Sequence, residues 1–215
     1  MYATAADPVV PGTAALLRAL SAIRAPAREA VWFDRPVNAV IAHYFDTALD
    51  AGLSSMRWLS PWRVGEALEL DGWLPLPGRE AFAADLVRLA SALCLLSGRR
   101  EARIRIEVST QTTCPRFHVD NVVLRLLCTY RGPGTEYLEG RYADRSRLGP
   151  GSDGLPDECS GLIRKAAGIV RIPRFAVAVL KGERWTDGCP QGAIHRSPAT
   201  SPEAGARIVA AIDIP

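Results

Sequence analysis

The sequence contains little of what usually reveals the class of a protein at once. Its 215 residues include only three histidines and two methionines, and its five cysteines are scattered without a Cys-x-x-Cys pair. An odd number of dispersed cysteines favours reduced thiols over a disulfide framework. No apolar run approaches the ~20 residues that a membrane-spanning helix needs, and the first residues lack the basic start and apolar core of a signal peptide. We therefore expect a cytoplasmic protein that does not associate with a membrane.

Strong charge and several catalytic motifs are also missing. The net charge is only +3 and the basic residues are not clustered, so nucleic acid is not expected as a partner. Neither a GxxxxGK loop nor a GxGxxG turn before a helix is present to bind phosphates. The Gly-x-Ser-x-Gly turn of serine hydrolases is missing too. The remaining expectation is a small-molecule or peptide substrate of unknown identity, and the oligomeric state stays open.

The pattern of apolar residues divides the chain into two halves that differ in predicted secondary structure. Residues 1–100 are expected to form a helical region that packs on the second half, with helices over residues 14–20, 37–51 and 77–96. The tryptophan-rich residues 58–62 are expected to connect the last two helices. Residues 101–215 are expected to form a β-rich core, with strands over residues 102–108, 122–130, 137–142, 175–180, 192–195 and 207–212. Short strands between Gly/Pro loops predict an antiparallel sandwich or barrel, and one α+β domain overall.

Two of the histidines lie at the ends of predicted strands, one of them close to an aspartate. His118 and Asp120 stand at positions i and i+2, so a regular strand would point both side chains to the same side. His195 could complete the set from a separate strand. Two imidazoles and one carboxylate on one face of an octahedron form the facial triad of non-haem Fe(II) oxygenases. The alternative is a turn aspartate with hydrogen-bonded histidines. His43, in the middle of a predicted helix, is expected to be packed or on the surface.

The residues around these positions resemble a known enzyme class. The stretch CPRFHVDNVVLRLLCTYRGPGTEYL and the later GAIHRSP resemble the metal-binding core of dioxygenases that use 2-oxoglutarate. Over about residues 25–213, the segments CPRFHVDN, RLLCTYRGPGTEYL, VLKGERW and GAIHRSP are similar to the bacterial domain-of-unknown-function 1826 family. The resemblance implies a double-stranded β-helix (a jelly-roll or cupin-like barrel) with an N-terminal helical layer. It further implies Fe(II) and 2-oxoglutarate as cofactors, with His118, Asp120 and His195 as the metal ligands.

Several neighbouring residues receive roles on the same grounds. Arg207 follows the second histidine by twelve positions and is the first candidate for the carboxylate of 2-oxoglutarate, since a guanidinium pairs two oxygens at once. Arg125 is the rival; it lies in an apolar strand and could instead pair with a buried carboxylate. Hydrogen bonds to the cosubstrate are expected from Thr129, Tyr130 and Thr135, although Tyr130 could equally be core. Around the ligands, Asn121 is expected to orient Asp120, and Ser197 to end the strand of His195.

Two cysteines leave a second function open. Cys114 and Cys189 lie shortly before the two histidines and could reach the metal if their loops converge. Thiolate ligands would favour Zn(II) over Fe(II). The sequence therefore predicts an Fe(II)/2-oxoglutarate-dependent oxygenase of the hydroxylase type. The alternative is a non-catalytic metal-binding protein, linked to zinc homeostasis, that uses the same ligands.

Overall fold

The computed structural model describes residues 13–186, 192–200 and 205–215. Its helices are α1 (Thr13–Leu20), α2 (Ala39–Asp50) and α3 (Arg79–Ser97). Its strands are, in chain order, β1 (Ala30–Phe33), β2 (Met56–Arg63), β3 (Glu101–Ser109), β4 (Leu124–Arg131), β5 (Glu136–Leu138), β6 (Ile169–Arg171), β7 (Val177–Lys181), β8 (Ile194–Arg196) and β9 (Arg207–Ile214). None of these helices combines the length and the apolar character that crossing a bilayer requires.

The strands form two antiparallel sheets. The major sheet has the order β1-β7-β4-β9-β3-β2, and the minor sheet has the order β6-β5-β8. Each sheet is hydrogen bonded within itself, and a single isolated bridge between His118 and His195 extends the minor sheet. A mixed fold with a large antiparallel sheet is thus confirmed. A closed barrel is not, since the strands of the described residues remain in two sheets.

The major sheet separates two layers of packing. On one face lies α3, which buries Phe82, Leu86, Leu89 and Leu93 at helical spacing against β3, β4 and β9. This helix ends at Gly98, whose φ of 69° gives the left-handed C-terminal cap. The other face carries a smaller apolar cluster that includes Leu127, Ala178, Val209, Ala211 and, from the minor sheet, Tyr137. The minor sheet therefore covers part of that face, and the candidate site lies between the two sheets.

The first hundred residues are less helical than predicted. Strands β1 and β2 both come from this half, and residues 58–62, predicted to be a connection, form most of β2. Alternation along β2 buries Trp62 and leaves Leu59 and Pro61 exposed. Pro61 obscured the strand pattern, but a proline is tolerated here because β2 is an edge strand. The strand predicted over residues 137–142 was also too long, since the chain turns into a 3-10 helix at Gly140–Tyr142.

Candidate metal centre

The predicted triad converges between the two sheets. His118, Asp120 and His195 each offer one ligand atom, and these atoms all lie within 4.8 Å of one another. Among the described residues this is the group that could hold a metal ion, and it contains no cysteine. The side chain of His195 is buried, whereas His118 and Asp120 are partly accessible. The group is therefore a candidate mononuclear metal centre that can be reached from solvent.

The backbone brings the two histidines together. The amide nitrogen of His118 donates to the carbonyl oxygen of His195 at 3.0 Å, and the reverse hydrogen bond also measures 3.0 Å. Such a reciprocal pair fixes two residues directly opposite each other in an antiparallel ladder. Their ring centroids consequently lie 4.7 Å apart, with 45° between the ring planes.

Hydrogen bonds assign the proton on each imidazole. Nδ1 of His118 lies 2.9 Å from the carbonyl oxygen of Arg116, and Nδ1 of His195 lies 3.1 Å from that of Ala193. A carbonyl can only accept, so each Nδ1 carries the proton, and Nε2 of a neutral ring keeps its lone pair. Both Nε2 atoms face Asp120, at 3.5 Å for His118 and 3.0 Å for His195. This is the arrangement that metal-binding histidines adopt.

Asp120 is held ionised and aimed at the histidines. Nη1 of Arg125 lies 2.5 Å from Oδ1 of Asp120, while Nε and Nη2 of Arg125 bond both carboxylate oxygens of Asp213 at 2.6 and 2.8 Å. Burial would raise the pKa of Asp120, but the contacts with His118 and His195 and the charge of Arg125 hold it well below its usual range. The contact with Asp120 in turn raises the pKa of His118, against the effect of burial.

One oxygen of this carboxylate has no proton donor. Oδ2 of Asp120 is buried and makes no hydrogen bond with the described residues, although Nε2 of His195 is only 3.0 Å away. When the His195 ring is neutral, with its proton on Nδ1, two lone pairs face each other across that gap. A buried acceptor without a partner is costly, and either a proton or a cation would relieve it. The donor set and the unsatisfied oxygen together fit a divalent metal ion.

A buried aspartate outside the predicted set ties the two ligand segments together. Oδ2 of Asp157 accepts from the backbone amide of Phe117 at 2.7 Å, and Oδ1 accepts from Nε of Arg116 at 2.9 Å. The same residue lies 3.3 Å from Nη1 of Arg196, next to His195. Arg196 also stacks over the Phe117 ring at 4.2 Å. Asp157 lies in a Gly/Pro-rich loop, and its sequence context carries no signal that would have identified it.

A glycine allows a close approach behind Asp120. The amide of Glu183 donates to the carbonyl oxygen of Asp120 at 2.9 Å, and a Cβ on Gly182 would lie 2.0 Å from the carbonyl oxygen of Val122. No side chain fits in that space, so the Gly182 position requires glycine. The segment VLKGERW therefore supports the candidate metal centre through its backbone.

A buried arginine lies at the other end of the adjoining cavity. Arg207 donates from Nε to the carbonyl oxygen of Pro133 at 2.8 Å, and from Nη2 to Oγ1 of Thr135 at 3.0 Å and of Thr129 at 3.3 Å. It has no carboxylate partner among the described residues, and burial lowers its pKa to about 10. The cavity that it shares with both histidines has a volume of about 40 Å³.

The other predicted residues lie in different places. Tyr130 faces the helices, where its hydroxyl donates to Asp85 at 2.7 Å, because strand alternation points it away from the site. The exposed Asn121 makes no hydrogen bond to Asp120, which is oriented by Arg125 instead. Ser197 directly follows β8, as predicted for the residue that ends the strand of His195, and its hydroxyl contacts Thr113. Arg125 pairs with buried carboxylates, which was its alternative role.

The cysteines and the third histidine add no ligand to the group. Cys114 is exposed and lies outside the set of converging ligand atoms, although it lines the cavity. Cys189 lies outside the described residues. His43 is exposed on α2, as its position within a helix predicted.

The fold and the converging side chains define an α+β protein with a candidate mononuclear metal centre. The family described as "Protein of unknown function (DUF1826)" matches residues 15–213, and the chain belongs to this family. The family resemblance predicted from the sequence motifs is thereby confirmed. No curated protein matches the chain.

Several solved structures have a similar shape. A full-length Neurospora crassa protein in complex with alpha-KG is 12% identical, with 94% of this chain and 79% of that chain covered and a TM-score of 0.49. A Pseudomonas putida prolyl-4-hydroxylase is 11% identical, with 92% and 97% covered and a TM-score of 0.46. A bsmA homologue from Methylobium petroleophilum is 15% identical, with 94% and 92% covered and a TM-score of 0.45. At such values we infer function from the site itself.

Proposed function

We propose that the protein is an oxygenase of the hydroxylase type that uses Fe(II) and 2-oxoglutarate. The observation that carries the proposal is the convergence of His118, Asp120 and His195 beside a cavity that ends at the buried Arg207. Two imidazoles and one carboxylate match the facial triad of Fe(II) oxygenases, which keeps coordination positions open for cosubstrate and dioxygen. The fold that accompanies this function is the double-stranded β-helix, or jelly roll, with the two sheets as its halves.

The three ligands suit Fe(II) in protonation as well as in placement. In their neutral forms both rings keep a lone pair on Nε2 on the side of Asp120, whose carboxylate stays ionised. Fe(II) with bound 2-oxoglutarate would supply the activation of dioxygen, which no amino-acid side chain performs. The side chains hold the ion, orient the cosubstrate and limit access of bulk water. Arg125 and Asp157 keep the ligands in register, since one orients Asp120 and the other joins the two histidine segments.

Arg207 is the residue that we assign to the distal carboxylate of 2-oxoglutarate. Its guanidinium is buried without a carboxylate partner, and Thr129 and Thr135 hold it in place. An incoming carboxylate would supply the missing negative charge through paired hydrogen bonds. The cavity has room for about three water molecules at 40 Å³. We expect lining side chains to move when 2-oxoglutarate binds, and Cys114 is an exposed residue of that lining.

Anaerobic spectroscopy tests the proposal directly. Protein loaded with Fe(II) and titrated with 2-oxoglutarate should develop a metal-to-ligand charge-transfer band, and admission of air should produce succinate. His118→Ala and His195→Ala should remove both signals, whereas His43→Ala, a histidine exposed on α2, should leave them intact. Arg207→Gln should weaken 2-oxoglutarate binding at least about tenfold while Fe(II) still binds. Absence of the band and of succinate in the unmodified protein would overturn the proposal.

The same samples examine the zinc alternative. A structural zinc site is closed by four ligands, and the converging group supplies three without a cysteine. A non-catalytic zinc protein would therefore need Cys114, Cys189 or another side chain to approach. Zn(II) affinity that falls strongly in Cys114→Ser or Cys189→Ser, together with no response to 2-oxoglutarate, would favour that function over the oxygenase.

A further inference from the structure

Part of the major sheet faces solvent beside the candidate metal centre. The minor sheet packs over β1, β7, β4 and β9, and every residue of β9 is buried. The outward side chains of β2 and β3 are not covered in this way: Arg57, Leu59 and Arg103 are exposed, and Arg105 is half-buried. We call these four residues the open strip. The open strip thus combines an exposed leucine with three arginines on a sheet face next to the candidate metal centre.

The register of the strands places the strip next to the triad. In the β3–β9 register Arg103 lies opposite Asp213. The carboxylate of Asp213 binds Arg125, the residue that orients Asp120. Arg105 pairs with Ala211 on the same strand, one strand spacing of about 4.8 Å from a cavity wall. Arg105 also lines the cavity that contains both histidines and Arg207. A molecule lying on the strip would reach the metal centre from the side.

The arginines that line this cavity differ in their partners. Arg125 is neutralised by Asp120 and Asp213, and Arg196 binds Glu136, Asp157 and Glu158, so both have structural roles.

Arg105 makes no hydrogen bond or ion pair with any described residue. Arg57 and Arg103 have none within the described residues either. Glu107 of β3 lies opposite Arg57 in the β2–β3 register, and it forms no ion pair with any described residue. Glu107 also lines the cavity, so one carboxylate faces the three arginines and the strip keeps a net positive charge beside the cavity.

We propose that the open strip binds the substrate and that Arg105 pairs with an anionic group on it, a carboxylate or a phosphate. The substrate class is thus an organic anion with an apolar part, because Leu59 is 56% exposed directly opposite Arg105 in the β2–β3 register. The guanidinium fork suits either kind of anion. This inference rests on the proposed oxygenase function, since it names the substrate class of that site. Arg207 stays reserved for the cosubstrate.

Calorimetric titration with small probes tests the strip. The protein is first saturated with Zn(II), which is redox-inactive, and with 2-oxoglutarate, so that the triad and Arg207 are occupied. It is then titrated with benzoate, phenyl phosphate and, as a neutral match, benzyl alcohol. We expect at least one of the anions to bind more tightly than the alcohol, and the stronger of the two identifies the kind of anion.

Variants connect that binding to one side chain. Arg105→Gln should weaken binding of the preferred anion at least about tenfold, and Arg105→Lys, which keeps the charge, should lose less. Arg18→Gln alters an exposed arginine of α1, on the helical side, and should change nothing. Equal binding in Arg105→Gln and the unmodified protein, or anions that bind no better than benzyl alcohol, would overturn the inference.

Failure of the inference can be told apart from failure of the function. Zn(II) and 2-oxoglutarate binding are measured before the probes are added. If these two fail in the unmodified protein, the oxygenase function falls, and titration of the same protein without them still decides whether Arg105 binds an anion. If Zn(II) and 2-oxoglutarate bind normally and only the anionic probes do not bind, the proposed role of the open strip is wrong and the proposed metal centre is retained.

Discussion

Asp85 and Asp120 lie on opposite faces of the major sheet, and their carboxylate oxygens are hydrogen bonded to different degrees. Asp85 of α3 binds both Nη atoms of Arg35 at 2.7 and 2.6 Å, accepts from the Tyr130 hydroxyl at 2.7 Å and pairs with Arg88. Each of its oxygens therefore has two donors. Asp120 receives Arg125 on Oδ1, while its Oδ2 has no donor among the described residues.

The difference separates a structural carboxylate from the carboxylate of the candidate metal centre. Both groups have a lowered pKa, since burial opposes ionisation but positive partners outweigh it in each case. Around Asp85 the positive partners are arginines and the hydrogen bonding is complete, which stabilises the fold. Around Asp120, His195 lies 3.0 Å from the oxygen that has no donor, and His118 lies 3.5 Å from the oxygen that Arg125 binds. A metal ion held by the three side chains would complete this arrangement. The two sites differ in the completeness of their hydrogen bonding and also in burial, since the Asp85 side chain is 2% exposed and that of Asp120 is 12% exposed.

The largest expected effect is on the free energy of unfolding, when Asp85 is replaced. Asp85→Asn leaves the guanidinium of Arg35 buried without its counter-charge, so the free energy of unfolding should fall by about 3 kcal/mol. Denaturation in urea measures this, with Asp50→Asn as the control because Asp50 is exposed at the end of α2. The metal affinity of the folded variant should remain within about twofold. A strong loss of metal affinity would contradict the separation of the two sites.

The converse change at the metal centre comes next. Asp120→Asn should lower the affinity for Fe(II) or Zn(II) at least about 100-fold, because loss of a ligand exceeds the loss of a residue that orients one. Its effect on the free energy of unfolding should be smaller than that of Asp85→Asn, since Arg125 keeps Asp213 as a partner. A metal affinity within threefold of the original would remove Asp120 from the ligand set.

Asp157 provides an intermediate case, because it positions the ligands without joining the triad. Asp157→Asn should weaken metal binding about 10- to 100-fold, since the carboxylate holds the Phe117 amide and faces Arg196. Asp144→Asn is the matched control: it removes a nearby carboxylate that pairs with Arg164 at 3.3 Å away from the triad. Reduced thermal stability with unchanged metal affinity would make Asp157 purely structural.

The smallest effect is on the pH dependence of stability. A carboxylate whose pKa is lower folded than unfolded stabilises the protein above its unfolded pKa of about 3.9, and that stability is lost as the pH falls below it. Asp85 has this sign. Between pH 5 and pH 3 the free energy of unfolding should therefore fall less in Asp85→Asn than in the unmodified protein. The slope that disappears is at most about 1.4 kcal/mol per pH unit. Identical slopes would show that Asp85 contributes nothing here.

Local patterns were sufficient where the period of the residues was regular. Alternation predicted a strand over residues 102–108, and β3 spans Glu101–Ser109. Helical spacing and a terminal glycine similarly located α2 and α3. The edge strand β2 was not predicted, because its exposed face carries Pro61 and Leu59 and polar and apolar residues therefore do not alternate along it. For Tyr130 and Asn121 the residue type suggested a role, but the face of the strand or the exposure of the side chain excluded it.

The sequence by itself determined which groups were available and how two of them were spaced. It contains three histidines, and His118 stands two residues before Asp120, a spacing that keeps the two side chains close in the chain. In the structure His118 makes an isolated bridge and Asp120 lies outside any strand, so regular strand geometry does not account for their convergence. Only the tertiary structure decided that His195 lies opposite His118 and that Asp120 and Asp213 neutralise the charge of Arg125. It also decided that Arg105 has no ion pair among the described residues. Those outcomes depend on contacts between residues that are distant in the sequence. Sheet order and strand register create these contacts, and local periodicity does not encode them.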